Sequence, residues 1–594
     1  MIPVVFNDCM GFLHPAKAGV TCGRAVIICE SLGYEALCTQ RAMLSLARMA
    51  ADAGLPTLRF HYPGTGDSAG DEAPGQIERW IDSIGAAAQH LREISGATEI
   101  ALCGFRLGGL LAVEAAKRFG GICALALLAP VVSGRTYARE LILSGAMIPN
   151  REGTVPPDWR EILGYRLHVG DLEALRGLDL TKTHAAGAAP RILLVAPDAA
   201  PPDLDPSIRF QHFQHYDGLT QHAQDIVMPM RVFADTVHWL RDGAPPAAPG
   251  GHREASPARL EAAPGVMETA LRFGAHGQCF GILARNMTRQ HERAVLILNS
   301  GLNTHTGNGR GGVRLARRLA AAGVTTLRMD MDKIGESAPE DPTEAVGFHD
   351  LGRVRDISAA LDLLEAAGHP RALLTGICAG AYIALHAAAA DARVCSAVLV
   401  NLPYFYIRNE DPAIPLWRRP LALGWRVLDR SRHWCAALTR NRRPMLGAAH
   451  FRRTYLIGRG LLLLHYGLLT AKQRLLARMA RVLPAGWASG YADTLLKRLC
   501  QLGVCLTLVY SSDDWGLVEL GIVFSANGQR LVENGWGAIR FIDGADHTIT
   551  TSWMQDVYGA IIEEQLGLGP VDERTPSRVG SVDDAPDAAA TPVT

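Results

Sequence analysis

The chain has 594 residues, more than one ordinary hydrophobic core uses, so we expect at least two domains. It carries 59 Lys and Arg against 59 Asp and Glu, and this balance gives no reason to expect a nucleic-acid partner. The 12 cysteines include no CxxC pair, which argues against a zinc site or a disulfide framework and favours the cytoplasm. No apolar run reaches the roughly 20 residues of a membrane-spanning helix, and no secretion signal is expected.

The first part of the chain alternates short apolar segments with segments of helical periodicity. Most residues of these segments are hydrophobic, which is typical of parallel strands buried on both faces. They lie at residues 26–29, 57–60, 100–103, 123–128 and 191–195. The alternation predicts a mostly parallel α/β sheet with helices on its faces.

The same features recur later in the chain at a nearly constant spacing. Residues 46–59 and residues 315–328 each predict a helix that ends at a glycine and is followed by a strand. The segment 103–109 matches the segment 375–381. Two unrelated domains would not keep such spacing, so we interpret the chain as a duplicated domain.

The composition places boundaries around the two copies. A Pro-, Gly- and Ala-rich stretch begins at Gly243 and predicts a linker over residues 243–262. The first domain is then residues 1–242 and the second is residues 263–568. Residues 569–594 are rich in Pro, Asp, Ser and Ala, and we expect a disordered tail there.

The second copy contains the sequence feature with the clearest chemical meaning. Its predicted strands lie at residues 295–298, 326–329, 372–375, 396–400 and 507–510. The third of these runs into Gly376-Ile377-Cys378-Ala379-Gly380, and a helical pattern follows. A strand, a sharp turn between glycines and a helix are the context of a nucleophile elbow, here with cysteine at its centre.

Both halves resemble the α/β-hydrolase fold, and together they resemble the hydrolase pairs of the serine-aminopeptidase-like or exosortase-system-associated type. The resemblance implies two fused α/β-hydrolase domains, each a mostly parallel sheet flanked by helices, and it leaves the substrate open. The residues that show this resemblance are 11–15 and 60–68 in the first half and 298–302, 328–330, 335–337, 376–380 and 544–547 in the second.

A catalytic triad can be assigned on the chain order that such folds use, which is nucleophile, acid and histidine. We predict Cys378, Asp514 and His547, with Asp513 left open as an alternative acid. The histidine would withdraw the thiol proton and later protonate the leaving group, while the carboxylate would hold the imidazole tautomer. The predicted oxyanion hole is the backbone amide of Ala379 with that of Gly301 or Leu302.

These residues predict a hydrolase that acts on an ester or thioester through a cysteine acyl-enzyme. Because thioesters react readily with amines and thiols, transfer of the acyl group to an amine or alcohol stays open as an alternative. A non-catalytic binding or scaffold protein is the alternative from another class. No cofactor and no metal are expected, and the oligomeric state is left undetermined.

Residues of about 404–500 interrupt the second half after Asn401, where α/β-hydrolases often carry a cap. The segment is basic and helical in pattern, and residues 455–469 within it are strongly apolar. A helical cap over the site is the simplest interpretation. The alternatives are a site for a long acyl chain, for an acyl carrier of negative charge, or for peripheral contact with a membrane surface.

In the first half the nucleophile position holds Arg106, whose guanidinium stays protonated and cannot attack a carbonyl. Asp198 and His222 lie near the positions of the acid and the histidine, but they have no nucleophile to serve. Arg106 is predicted either to bind an anion or to form a structural ion pair with Asp67 or Asp198. The first half is therefore expected to be a degenerate copy.

Overall fold

A computed structural model describes residues 1–146, 148, 150–180, 187–200, 204–219, 226–247, 258–342, 344, 346–406 and 490–568. Most of the predicted cap, the predicted tail and His222 lie outside these residues. The described residues form two compact units. One comprises residues within Met1–Leu402 and Arg498–Asp514 together with those from Gly537 onward, and it contains both sheets. The other comprises residues within Pro403–Lys497 and Trp515–Trp536.

The strands of the first half build one sheet and a separate hairpin. In chain order they are β1 (Ile2–Phe6), β2 (Cys9–His14), β3 (Arg24–Cys29), β4 (Thr57–Phe60), β5 (Glu99–Phe105), β6 (Ile122–Leu128), β7 (Trp159–Ile162), β8 (Tyr165–His168), β9 (Arg191–Ala196) and β10 (Ile208–His212). The order in the sheet is β1-β2-β4-β3-β5-β6-β9-β10, and β7 and β8 pair only with each other. The strands from β4 to β10 are parallel, whereas β1 and β2 are antiparallel additions.

Helices cover both faces of this sheet because successive strand residues point to opposite sides. Ile27 packs with helix residues such as Trp80, whereas its neighbours Val26 and Ile28 pack with residues such as Met43. The helices are α1 (Gly33–Asp52), α2 (Gln76–Ser95), α3 (Leu107–Phe119), α4 (Gly134–Gly145), α5 (Val169–Gly177), α6 (Tyr216–Leu219) and α7 (Met230–Arg241).

The second half repeats this architecture with one more antiparallel strand. Its strands are β11 (Arg259–Ala263), β12 (Val266–Phe273), β13 (Cys279–Asn286), β14 (Ala294–Ile297), β15 (Thr326–Asp330), β16 (Ala372–Ile377), β17 (Val394–Val400), β18 (Cys505–Ser511) and β19 (Ala538–Ile542). The order is β11-β12-β13-β15-β14-β16-β17-β18-β19, so β14 and β15 exchange places as β3 and β4 do. The helices are α8 (Gly311–Ala321), α9 (Val354–Ala366), α10 (Ala379–Ala390), α11 (Gly490–Gln501), α12 (Gly516–Phe524), α13 (Gln529–Glu533) and α14 (Ser552–Leu566).

The predicted fold class, a mostly parallel sheet flanked by helices in each half, is confirmed by this topology. The predicted linker over residues 243–262 is wrong at its C-terminal end. Strand β11 begins at Arg259 and pairs with β12, and the alternating burial of Leu260 and Ala262 explains why this polar-looking segment forms an edge strand. At the other end, the carbonyl of Pro245 accepts a hydrogen bond from the Gly23 amide, which fixes residues 243–246 beside β3.

Two buried ion pairs join the two halves reciprocally. Arg59 in β4 donates to Glu336 of the second half at 2.6 Å, and Arg328, at the equivalent position in β15, donates to Asp67 of the first half at 3.0 Å. All four residues are at most 2% exposed. Each arginine also pairs with a carboxylate of its own half, Glu30 for Arg59 and Glu268 for Arg328, so the contact between the halves adds a second carboxylate to each buried cation.

The length and hydropathy of a helix decide whether it can cross a membrane. No helix among the described residues is both long enough and apolar enough to cross a bilayer.

Candidate active site

Cys378 lies at the carboxyl end of β16, directly before α10, with φ 55° and ψ −117°. A positive φ is unfavourable for a residue with a side chain, so the surrounding packing must hold this turn. The flanking glycines permit that packing. A Cβ on Gly380 would collide with the carbonyl of Asn299, and a Cβ on Gly376 would lie 2.6 Å from the backbone of Gly380. The spacing Gly-x-Cys-x-Gly thus follows from the close approach of strand, helix and neighbouring loop.

The predicted acid and histidine come together beside this turn. Asp514 follows β18 and His547 follows β19, and both strands are parallel to β16, so their carboxyl ends reach the same edge of the sheet. His547 Nδ1 lies 2.5 Å from Asp514 Oδ2. The carboxylate of Asp514 is almost fully buried, whereas Asp513 is exposed. The hydrogen-bonding partner of His547 is therefore Asp514, the acid that the sequence analysis favours.

The electrostatic surroundings of His547 favour the imidazolium. Burial lowers the pKa of this imidazole, but hydrogen bonds to Asp514 and to the Cys378 thiol, together with their negative charges, raise it to about 10. The side chain of His547 is 31% exposed, so a substrate has access to it from solvent. The imidazole thus bridges thiol and carboxylate in the arrangement that general acid–base chemistry on a thiol requires.

Asn401 is a residue of this site that the sequence analysis missed. It follows β17 with φ 48°, a backbone conformation that asparagine tolerates better than most residues. Its side-chain nitrogen donates to the Ser511 hydroxyl at 2.9 Å and to the His547 carbonyl at 2.8 Å, and its side-chain oxygen accepts from the Ser511 amide. Asn401 therefore ties the strand before Asp514 to the loop that carries His547. A polar residue directly after a buried strand was the available signal.

The loop between β14 and α8, residues 298–310, lies beside the amino end of α10. The contact of Asn299 with Gly380 brings it there. Gly301 has φ 59°, and neither its amide nor that of Leu302 donates a hydrogen bond to another described residue. Two backbone donors are thus available in the loop that packs on the elbow. The predicted oxyanion donors Gly301, Leu302 and Ala379 belong to these two adjoining segments, and their role stays a prediction.

Arg106 occupies the equivalent turn of the first half, between β5 and α3, with φ 51° and ψ −119°. Its Nε donates to Glu35 at 3.0 Å and its Nη2 lies 3.4 Å from Glu140. The guanidinium also lies over the Tyr137 ring, whose hydroxyl donates to Glu35. The ion pair is thus made with α1 and α4 rather than with Asp67 or Asp198. Two carboxylates already engage the cation, which favours the structural alternative over an anion site.

We expect Arg106→Ala to lower the free energy of unfolding by about 1–2 kcal/mol, because it leaves Glu35 in a half-buried position without its cation. The reactivity of Cys378 toward iodoacetamide should stay unchanged in the folded protein. Urea denaturation and peptide-resolved alkylation measure the two quantities. Arg118→Ala is the matched control, since Arg118 pairs with Glu78 and Asp82 at the surface and its loss should cost under about 0.5 kcal/mol. A stable Arg106→Ala protein with an unreactive Cys378 would contradict the structural role.

The described residues contain no group of three or more His, Cys, Asp or Glu side chains arranged to hold a metal ion. The strand order of both sheets, the left-handed residue between strand and helix, and the acid and histidine after the last two strands define a protein of the α/β-hydrolase fold. No protein-family model and no curated protein matches the chain.

Several solved structures are similar to part of the chain. Est1E from Butyrivibrio proteoclasticus with ferulic acid bound is 17% identical, covers 40% of this chain and 98% of its own, and gives a TM-score of 0.31. XC6422 from Xanthomonas campestris, described as an α/β serine hydrolase without a lid, is 14% identical over 42% of this chain and 98% of its own, with a TM-score of 0.26. The proline iminopeptidase of Mycobacterium smegmatis is 16% identical over 40% and 96%, with a TM-score of 0.27.

Proposed function

We propose that this protein is a hydrolase that cleaves an ester or thioester through an acyl-enzyme on Cys378. The observation that carries the proposal is the series of hydrogen bonds that joins Asp514 to His547 and His547 to Cys378. Cys378 itself lies in the turn between β16 and α10 and has a positive φ. XC6422, named above, is described as a serine hydrolase, and this chain would differ from it in using a thiol. A cytoplasmic location and an acyl ester or thioester substrate, free or borne on a carrier, belong to the same proposal.

In the proposed reaction the proton that His547 holds is the one given up by the Cys378 thiol, and the charges of the resulting thiolate and of Asp514 keep it on the imidazole. The sulfur attacks the substrate carbonyl, and the oxygen of the tetrahedral intermediate accepts hydrogen bonds from the amides of Ala379 and of Gly301 or Leu302. His547 then returns the proton to the departing alcohol or thiol, which leaves a thioester on Cys378. Water attacks this thioester with His547 as base, and the acid and the free thiol are released.

Acyl transfer is the second candidate, and the cysteine at the elbow is the observation that favours it. The acyl-enzyme would be a thioester, which amines attack more readily than they attack an oxygen ester. In that case an amine or alcohol takes the place of water in the last step. All earlier steps remain the same.

Trapping of the acyl-enzyme tests the proposal. The protein is mixed with p-nitrophenyl acetate, quenched in acid after a short time and analysed by intact mass and peptide mapping. We expect an acetyl group on the peptide that contains Cys378, together with release of p-nitrophenol. A folded protein that gains no acyl group there would contradict the enzyme proposal. Adding an amine separates the two candidates, because transfer produces the acetylated amine at the expense of acetate.

A further inference from the structure

The carboxylate of Asp67, in the first half, is buried against the second half. Its Oδ2 lies 2.9 Å from His305 Nε2, and its Oδ1 accepts from Arg328 at 3.0 Å. Asp67 is fully buried, and Arg328 and His305 are at most 4% exposed. His305 belongs to the β14–α8 loop, so a side chain of the half without a nucleophile contacts the loop that packs on the elbow of the other half.

His305 is held as an imidazolium between two carboxylates. Its Nδ1 lies 2.8 Å from Asp330 Oδ2, on the side of the ring opposite to Asp67. Burial lowers the pKa of His305, but the charges and hydrogen bonds of Asp330 and Asp67 raise it to about 10. Both ring nitrogens therefore donate, and removal of either carboxylate would leave a buried cation with half of its compensation.

Asp330 connects His305 to the rest of the β14–α8 loop through hydrogen bonds. Its Oδ1 accepts from the His305 amide at 2.7 Å and from the Asn299 side chain at 2.8 Å. Asn299 also donates to the Asn303 carbonyl at 3.0 Å. The segment that carries the amides of Gly301 and Leu302 is thus fastened at both of its ends to one carboxylate, and that carboxylate is bridged to Asp67 by His305.

Further contacts fix the same loop on the first half. Arg310, at the end of the loop, donates to the carbonyls of Gly66 at 2.8 Å, Gly70 at 2.9 Å and Ser68 at 2.7 Å. These carbonyls surround Asp67 in the chain. The loop therefore rests on the first half through charged side chains at two separate points, His305 and Arg310.

The first half also reaches the segment that follows His547. The amide and hydroxyl of Ser552, at the start of α14, donate to Glu161 of β7 at 2.7 Å and 2.6 Å. Arg166 of β8 donates to the same hydroxyl. Two loops of the second half, one with the predicted oxyanion donors and one with the histidine, are thus supported by residues of the first.

We propose that Asp67 is a positioning residue for the active site of the second half: through His305 and Asp330 it holds the β14–α8 loop so that its free amides face the Cys378 elbow. The proposal rests on the proposed function. It gives the first half a task that needs no nucleophile, because what this half contributes is a fixed carboxylate and the carbonyls that bind Arg310. An oxyanion donor displaced by a fraction of an ångström loses much of its effect.

Two reactions of the same thiol separate this role from a merely structural one. Acylation by p-nitrophenyl acetate builds charge on a carbonyl oxygen and depends on the oxyanion donors. Alkylation by iodoacetamide occurs at a saturated carbon, so it depends on the thiol and His547 but not on those donors. In Asp67→Asn we expect acylation of Cys378 to fall by about 10- to 100-fold and alkylation to stay within about twofold.

Arg41→Ala is the matched control, because Arg41 also joins the two halves, through the carbonyls of Pro342 and Glu344, without contacting the β14–α8 loop. It should leave both rates unchanged. A folded Asp67→Asn protein that acylates at the wild-type rate, or that loses both reactions equally, would overturn the positioning role. If the wild-type protein itself is not acylated at Cys378, the proposed function fails as well, so the two failures are distinguishable.

Arg310→Lys tests the same idea should Asp67→Asn fail to fold. Lysine keeps the charge but cannot reach all three carbonyls with the fork of donors that arginine has. We expect a smaller loss of acylation, about 3- to 10-fold, again with alkylation preserved. Equal acylation rates in Arg310→Lys and wild type would overturn the proposal.

Discussion

Replacement of Cys378 by alanine is expected to abolish acyl-enzyme formation and to lower ester turnover by about 10⁴-fold or more, because no other group at the elbow can attack a carbonyl. Stability should change little, since the side chain is only half-buried and the strained turn keeps its glycines. Stopped-flow release of p-nitrophenol, together with the mass of the quenched protein, measures both the burst and the steady state.

Two further variants make this experiment specific. Cys378→Ser should retain a small activity, because His547 and Asp514 can still activate a hydroxyl at the same place. Cys500→Ala removes an exposed thiol that lies in α11 and should leave turnover unchanged. Residual full activity in Cys378→Ala would show that another nucleophile or direct attack by water is responsible, and the assignment of Cys378 would be wrong.

Asp514→Asn is expected to reduce turnover by about 10⁴-fold with little change in structure. The carboxylate accepts from His547 Nδ1, and an amide in its place can present its NH₂ group instead, which favours the tautomer that cannot accept the thiol proton. Asp513→Asn is the matched control, because Asp513 is the exposed neighbour of Asp514. This substitution should have almost no effect on turnover. If Asp513→Asn were the damaging change, the acid would have to be reassigned.

The same variant should change how stability depends on pH. The folded-state pKa of His547 is raised from 6.5 to about 10, so its contribution to the free energy of unfolding is complete below about pH 6.5 and is lost as the pH rises through about 10. In Asp514→Asn one cause of the raised pKa is gone, so the decline, which starts near pH 6.5 in both proteins, should be smaller and should end at a lower pH. Urea denaturation of both proteins between pH 6 and 10.5 measures the difference. Parallel curves would mean that the imidazole and the carboxylate are not coupled.

Local patterns were enough to predict most of the two sheets and both elbows. Residues 372–375 and 396–400 are apolar except for Thr375 and Ser396 because β16 and β17 are buried on both faces, and such runs can be recognised without any knowledge of their neighbours. The glycines around Cys378 and Arg106 are equally local, since the turn itself demands them. Strand β11 was missed because an edge strand buries only alternate residues and its neighbourhood is rich in Pro and Gly.

Contacts between distant segments were beyond the sequence analysis. Whether Asp513 or Asp514 binds His547 depends on the rotation of the chain after β18, which no periodicity records. The partners of Arg106 belong to helices far away in the chain, and any of several carboxylates satisfies its charge equally well. The contact of Asp67 with His305 also joins residues of different halves, and nothing in either segment indicates the other.

The ion pairs Arg59–Glu336 and Arg328–Asp67 are equivalent to each other, because each joins the arginine of one half to the carboxylate of the other. Contacts across a twofold axis have this form. In these two contacts the halves resemble the subunits of a symmetric dimer, although they belong to one polypeptide. If the chain were cut in the stretch around residue 250 and the fragments separated, Arg59 would keep Glu30 and Arg328 would keep Glu268, but Glu336 and Asp67 would each lose the arginine of the other half. We therefore expect the half that carries Cys378 to be less stable alone than in the full chain, because its Glu336 is buried against Arg59.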